Sequence, residues 1–167
     1  MNLLRRIMTN GYILIFPIII WNISFFSYLP SSYAPSNFNS DIPLWIIVGE
    51  NLFRMVLFIF PLFVQVNIKI SFGNKGLIIY LLGVLIYFSS WLAIIISPSS
   101  VWSSSVLGYS APAYTPIIWI LGLSMMVDSY YFKYRLNYSK WHFLLPSLSL
   151  IGFHISHAIY VYNRTYL

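Results

Sequence analysis

Glu50 and Arg54 are the charged residues of an otherwise uncharged apolar run, 44–66, and they stand four positions apart. On a helix that spacing puts them on one face, with Glu on the N-terminal side, the better order for an ion pair. His154 and His157, three apart in the run 141–161, are neighbours on one face of another helix by the same rule. Ser89 and Ser90 add two hydroxyls to the run 77–97. A carboxylate can carry a proton, a guanidinium beside it sets its charge state, and imidazole is suited to a pH-dependent switch. Ionisable groups inside apolar segments are costly to keep, so each marks a candidate functional position.

Two further chemistries use the same residues. Two histidines with Glu50 would give three metal ligands and an open fourth position, the pattern of catalytic zinc or non-haem iron. Against it, the chain has no H-E-x-x-H, Glu50 is remote from the histidines in sequence, and Arg54 competes for the carboxylate. Haem ligation has no better support. No metal and no cofactor is therefore expected. The second chemistry is serine hydrolysis. Ser97, Ser99, Ser100, Ser103, Ser104, Ser105 and Ser110 crowd one connection, and a serine near a histidine is the minimum for an activated nucleophile. Gly108-Tyr109-Ser110-Ala111 lacks the second glycine of G-x-S-x-G. No catalytic residue is assigned, and binding is favoured over catalysis.

The elements that must position these groups follow from composition. Average globular chains are about a quarter charged. Here 7% of residues are charged, 59% are hydrophobic and 20% aromatic, too few polar groups to cover a water-soluble domain of 167 residues. Disorder is excluded because disordered segments are poor in apolar and aromatic residues. The absence of cysteine removes disulfides, thiolate metal sites and Cys nucleophiles. The net charge of +6 is spread in ones, twos and threes beside apolar runs, not gathered on a basic polar face, so no nucleic-acid partner is expected.

Five apolar stretches, 11–29, 44–66, 77–97, 114–132 and 141–161, approach the ~20 residues that a helix needs to cross ~30 Å of hydrocarbon. None alternates as a membrane strand does. The expected fold is therefore all-α, one multi-pass bundle of about five transmembrane helices. Arg5, Arg6, Lys69, Lys75, Lys133, Arg135 and Lys140 flank alternate ends of these runs, and Arg164 is the lone base at the opposite ends. The positive-inside rule then places the N-terminus in the cytoplasm and the C-terminus outside, in what is expected to be the cell membrane. Tyr134, Tyr138 and Trp141 mark the inner interface, Trp45, Trp102 and Tyr160 the outer one. The first run is expected to stay in place, because Pro35 disfavours cleavage after Ala34 and the run exceeds a signal-peptide core. Pro17, Pro61 and Pro146 predict kinks.

Counting ~1.5 Å per residue, Glu50 falls ~9 Å and Arg54 ~15 Å below the outer surface, His154 and His157 ~6–10 Å, and Ser89 and Ser90 ~10–12 Å. Three runs thus bring polar groups to one level, in the outer half of the bilayer. The uncharged, partly apolar connection 98–113 is expected to lie in the interface or to fold back over them as a lid. Asp128 and His142 read as inner-surface anchors. Ser149, Gly152 and Ser156 form a strip of small residues suited to close helix packing or a homodimer seam.

The function most consistent with these residues is binding or transport of a small amphipathic ligand, a lipid or a proton-coupled solute, through Glu50, Arg54, Ser89, Ser90, His154 and His157. The alternatives are an intramembrane enzyme and a non-catalytic accessory or immunity-type subunit whose polar pairs are packing glue. Expected partners are membrane lipids, with a further copy or another membrane protein possible.

Overall fold

The computed structural model describes residues 7–131 and 140–167. The basic positions Arg5, Arg6, Lys133 and Arg135, the aromatic positions Tyr134 and Tyr138, and Phe132 at the end of the expected fourth run lie outside the described residues.

The described chain is mostly helical. Its longer helices are α1 (Tyr12–Phe25), α3 (Leu44–Ile59), α4 (Gly73–Ile96), α7 (Pro116–Met126) and α8 (Trp141–Tyr166). Short helices α2 (Pro35–Phe38), α5 (Val106–Tyr109) and α6 (Ala111–Tyr114) sit in the connections. Leu44–Phe63, Gly73–Ile96 and Trp141–Tyr166 are long and apolar enough to cross a membrane, while Tyr12–Tyr28 and Ala111–Met126 are shorter apolar segments. These three fit a membrane location. Their outward faces agree: Leu44, Val48, Leu52, Met55 and Ile59 on α3, and Ile78, Leu81, Leu82 and Leu85 on α4, are large, apolar and exposed. Continuous apolar surface of this kind belongs against lipid or a partner, not water.

The expected second and fourth helices both end early. Pro61 has no N–H to offer the Leu57 carbonyl. The α-helix stops at Ile59, tightens into a 3-10 turn (Phe60–Phe63) and gives way to β1 (Val64–Val66). On the far side α7 stops at Met126 and continues as β2 (Val127–Tyr130). The two strands pair antiparallel, Val64 with Tyr130 and Gln65 with Ser129. A bridge from Asn10 to Gln65 and a bond from the Val66 N–H to the Thr9 carbonyl add a third rung. The all-α expectation thus gains one small ribbon. β1 is bonded on both sides, which goes toward the need of non-helical chain next to hydrocarbon to satisfy its backbone. Pro17 and Pro146, by contrast, lie within uninterrupted helices.

The ribbon welds the start of α1, the end of α3 and the end of α7 at one pole. Phe60 stacks on Phe143 of α8 there, with ring centroids 5.6 Å apart. At the opposite pole Arg164 donates to the Ser40 and Asn37 carbonyls, the Tyr162 hydroxyl to the Ser104 carbonyl (3.2 Å), and the Tyr33 hydroxyl to the Tyr109 carbonyl (2.7 Å). Each longer helix therefore runs opposite to the one before it.

Two helix pairs organise the interior, α4 with α7 and α3 with α8. The buried residues of α4 include Gly76, Tyr80, Gly83, Tyr87, Ser90 and Ile94. Their intervals of three and four are a heptad repeat. The glycines let backbones touch: a Cβ on Gly83 would lie 2.3 Å from the Trp119 nitrogen, and one on Gly122 2.3 Å from the Tyr80 nitrogen. α7 is buried on nearly every side, as an all-round apolar helix must be. Phenols of α4 hold α1, with Tyr80 donating to the Leu14 carbonyl (2.5 Å) and Tyr87 to Asn22 Oδ1 (2.7 Å).

Candidate functional site

On α3, Gly49 presents bare backbone to α8. A Cβ there would meet the Phe153 ring at 2.5 Å. This close approach brings the next residue, Glu50, against the α8 histidines. Glu50 is buried, 2% exposed, although it is an acid. Its carboxylate is satisfied from two helices. Arg54, one turn on, donates to Oε1. His157 Nδ1 lies 2.5 Å from Oε2, and its other nitrogen, Nε2, donates to the Phe38 carbonyl at 2.8 Å. His154 Nδ1 comes within 3.0 Å of Oε1 without an aligned hydrogen bond among the described residues.

The tautomer of His157 follows from these partners. A backbone carbonyl only accepts, so Nε2 carries a hydrogen. Two lone pairs would repel at 2.5 Å, so Nδ1 and Oε2 share one further proton. The Phe38 carbonyl is held in place by its surroundings. Its ring packs on His157 (4.2 Å between centroids), and Arg164 grips the carbonyls of Asn37 and Ser40 on either side.

A cavity of about 310 Å³ opens beside this cluster. Glu50, Arg54, His154 and His157 form one wall together with Asn39 and Asn51. Phe26, Leu29, Phe38 and Trp91 line the apolar side. Tyr33, Tyr109, Pro112 and Ala113 come from the two connections at the loop-rich pole. The connection 98–113 thus covers one side of the cavity through Tyr109, Pro112 and Ala113, while Leu107 faces outward, 64% exposed. Burial, then the nearby Tyr109 and Tyr166, push the Tyr33 phenol well above its ordinary range. Burial likewise pushes Tyr109 up to about 12. Both phenols stay neutral at any physiological pH.

Of the expected site residues, Glu50, Arg54, His154 and His157 are brought together; Ser89 and Ser90 are not. Ser89 is exposed on the outer face of α4, and Ser90 is buried on its other side, donating to the Tyr87 carbonyl (2.6 Å). Depth along a helix does not fix direction around it. Adjacent residues point ~100° apart, and the heptad that seats α4 on α7 sets which one turns inward. That heptad was the available signal, and it turns Trp91 to the cavity instead. Tyr33, Phe38 and Asn39 carry no comparable mark in the sequence.

The alternative chemistries find less support. Ligands ~2.0–2.1 Å from one tetrahedral ion stand ~3.3 Å apart. The 2.5 Å between His157 and Glu50 suits a shared proton instead. No group of three or more metal-binding side chains arises among the described residues. The loop serines spend their hydroxyls locally: Ser103 on the Ala93 carbonyl, Ser104 on Ser100, Ser105 on Trp102 and Ser110 on Val106. Near the ribbon, Tyr130 and His142 hydrogen-bond at 2.8 Å. Gly152 faces open space among the described residues, while Ser149 and Ser156 are half-buried and donate to the Leu145 and Gly152 carbonyls of their own helix. Compared with known proteins, the chain matches no protein-family profile, no curated protein and no solved structure.

Proposed function

We propose that this is a multi-pass protein of the cell membrane that takes a small amphipathic ligand or lipid into the cavity beside Glu50. In this reading five segments cross the bilayer, the ribbon pole is cytoplasmic and the cavity lies in the outer half. The shorter segments support five crossings: Tyr12–Tyr28 spans ~26 Å as helix. The four residues of β2 add ~13 Å to α7, because a strand rises ~3.3 Å per residue. Lys69, Lys75 and Lys140 lie toward the ribbon pole, in keeping with the positive-inside rule.

The observation that carries the reading is a buried acid, bonded to groups from two helices, on the polar wall of a cavity that also has apolar lining. A volume of about 310 Å³ is at the lower end of the ~300–1,000 Å³ typical of small-molecule sites. It suits a head group and the first part of a chain better than a whole two-chain lipid. Ala158 lines the cavity and is otherwise buried. Ala158→Trp is expected to fill it and abolish lipid co-purification, read by native mass spectrometry. Retention of the same bound lipids would remove the cavity from the account. Glu50→Gln is expected to insert normally yet lose any proton-coupled function. A C-terminal alkaline phosphatase fusion is expected to be active, and an inactive one would overturn the orientation.

A second reading, an accessory subunit, is favoured by one observation. Gly152 and Ser156 leave a shallow, unfilled strip on the outside of α8, where another membrane helix could lie. Cross-linking through a cysteine at 152 distinguishes a second copy from a different partner.

A further inference from the structure

We propose that the ligand of this cavity is anionic: an amphiphile with a carboxylate or phosphate head group that docks on Arg54, held there by the proton that Glu50 and His157 share. The inference rests on the cavity being a ligand site and adds the chemistry of the ligand.

The charge count comes from the hydrogen bonds. With its shared proton the Glu50–His157 pair is neutral, whether the proton sits on Oε2 or on Nδ1. Arg54 then leaves the cluster with a net charge of +1, and His154 can only add to it. Glu50 is the one acid among the described residues lining the cavity. Arg54 itself is not sealed in: its side chain is 44% exposed while that of Glu50 is 3% exposed. Of its five N–H donors, Glu50 takes one and Asn51 accepts a long bond from another (3.5 Å). The others have no hydrogen-bond partner among the described residues, and Arg54 lines the cavity. An unbalanced positive charge in a membrane interior calls for a counter-ion, and a guanidinium fork matches a carboxylate or phosphate. The apolar side, Phe26, Leu29 and Trp91, then receives the start of the chain.

The proton makes the site responsive to pH. When Glu50 and His157 give it up, the pair becomes negative, the cluster falls to zero and the anion loses its counter-charge. The other groups facing the cluster do not replace it. Tyr33 and Tyr109 stay neutral, Tyr87 faces Asn22, and Arg164 donates to the Ser40 and Asn37 carbonyls and does not line the cavity. Anion binding is therefore strongest at low pH and weakens as pH rises.

The experiment uses the full chain in nanodiscs of neutral lipid, titrated with dodecanoate, dodecyl phosphate, 1-dodecanol and inorganic phosphate. The two anionic amphiphiles are expected to bind roughly ten- to hundredfold more tightly than the alcohol, the range of a charge-assisted hydrogen bond. Inorganic phosphate, lacking the chain, is expected to bind far more weakly; equal binding of it would make the site one for a free anion and overturn the amphiphile. Arg54→Gln should erase the preference and Arg54→Lys should keep much of it, with monodisperse elution checking that both variants fold. Glu50→Gln, which cannot ionise, should flatten the pH dependence. Equal binding of alcohol and anions by the native chain would overturn this inference while leaving the cavity reading intact. Failure of all four probes would remove both.

Discussion

The α4–α7 pair and the α3–α8 pair solve the same problem, holding two helices together in an apolar setting, by opposite means. In the first, Gly83 and Gly122 let each backbone approach the other directly, and nothing is left between them. In the second, Gly49 admits a Phe153 ring, and beside it Glu50, Arg54, His154 and His157 make a polar contact with a cavity at its edge. Lipid gives no hydrophobic drive for helices to associate, so close packing and hydrogen bonds must do it. The glycine pair uses the first, backbone against backbone. The polar pair uses the second and keeps open volume. Close packing and the polar cluster thereby fall to different helix pairs.

The sharpest way to break this contrast is to fill the glycine contact. Gly83→Leu would push a side chain into the Trp119 backbone, which cannot swing aside. The expected cost exceeds ~3 kcal/mol, the upper end for overpacking, with loss of the folded species in a detergent unfolding titration. A milder result would mean that α4 and α7 can separate without harm. Next in size is Glu50→Ala. Truncating one partner of a buried ion pair costs ~3–5 kcal/mol, and the half-exposed Arg54 reduces the expected loss to about 2 kcal/mol in the same titration. The double change Glu50→Met with His157→Phe should recover part of that, since apolar replacement of a buried polar pair is often neutral and Arg54, left without its carboxylate, is half-exposed. A double variant as unstable as Glu50→Ala would mean that the polar pair is there for stability.

Gly49→Ala sharpens the comparison further. Its Cβ meets the far end of a flexible ring instead of backbone, so a loss of about 1 kcal/mol is expected, clearly below Gly83→Ala. Equal losses would erase the distinction between the two contacts. The smallest effect belongs to Gly152→Ala. With nothing within 4 Å, the change should leave stability unaltered or raise it by up to ~1 kcal/mol through helix propensity. A large loss would show that the strip is occupied by a partner in the folded state.

Much of the candidate site was legible before any coordinates. Charged residues are so rare in these runs that Glu50, Arg54, His154 and His157 stand out, and a constant rise per residue gives their level along each helix. The heptad of Gly76, Tyr80, Gly83 and Tyr87 was equally present in the sequence, and read as packing it would have turned Ser89 away from the site. The ribbon was not legible. Residues 64–66 and 127–130 look like the tails of helices, and their pairing spans a sequence separation that no local pattern encodes.

Composition and spacing alone determined that the chain is helical and apolar enough for a membrane, and which ionisable side chains stand inside its apolar runs. Both follow from local physics: the need of each segment to satisfy its own backbone and the cost of each buried charge. Only the tertiary structure decided that His157 meets Glu50, that the Phe38 carbonyl holds its other nitrogen and that Trp91 stands at the cavity wall where the serines do not. Those facts depend on how helices rotate and close upon each other, and rotation is set by contacts between residues far apart in the chain.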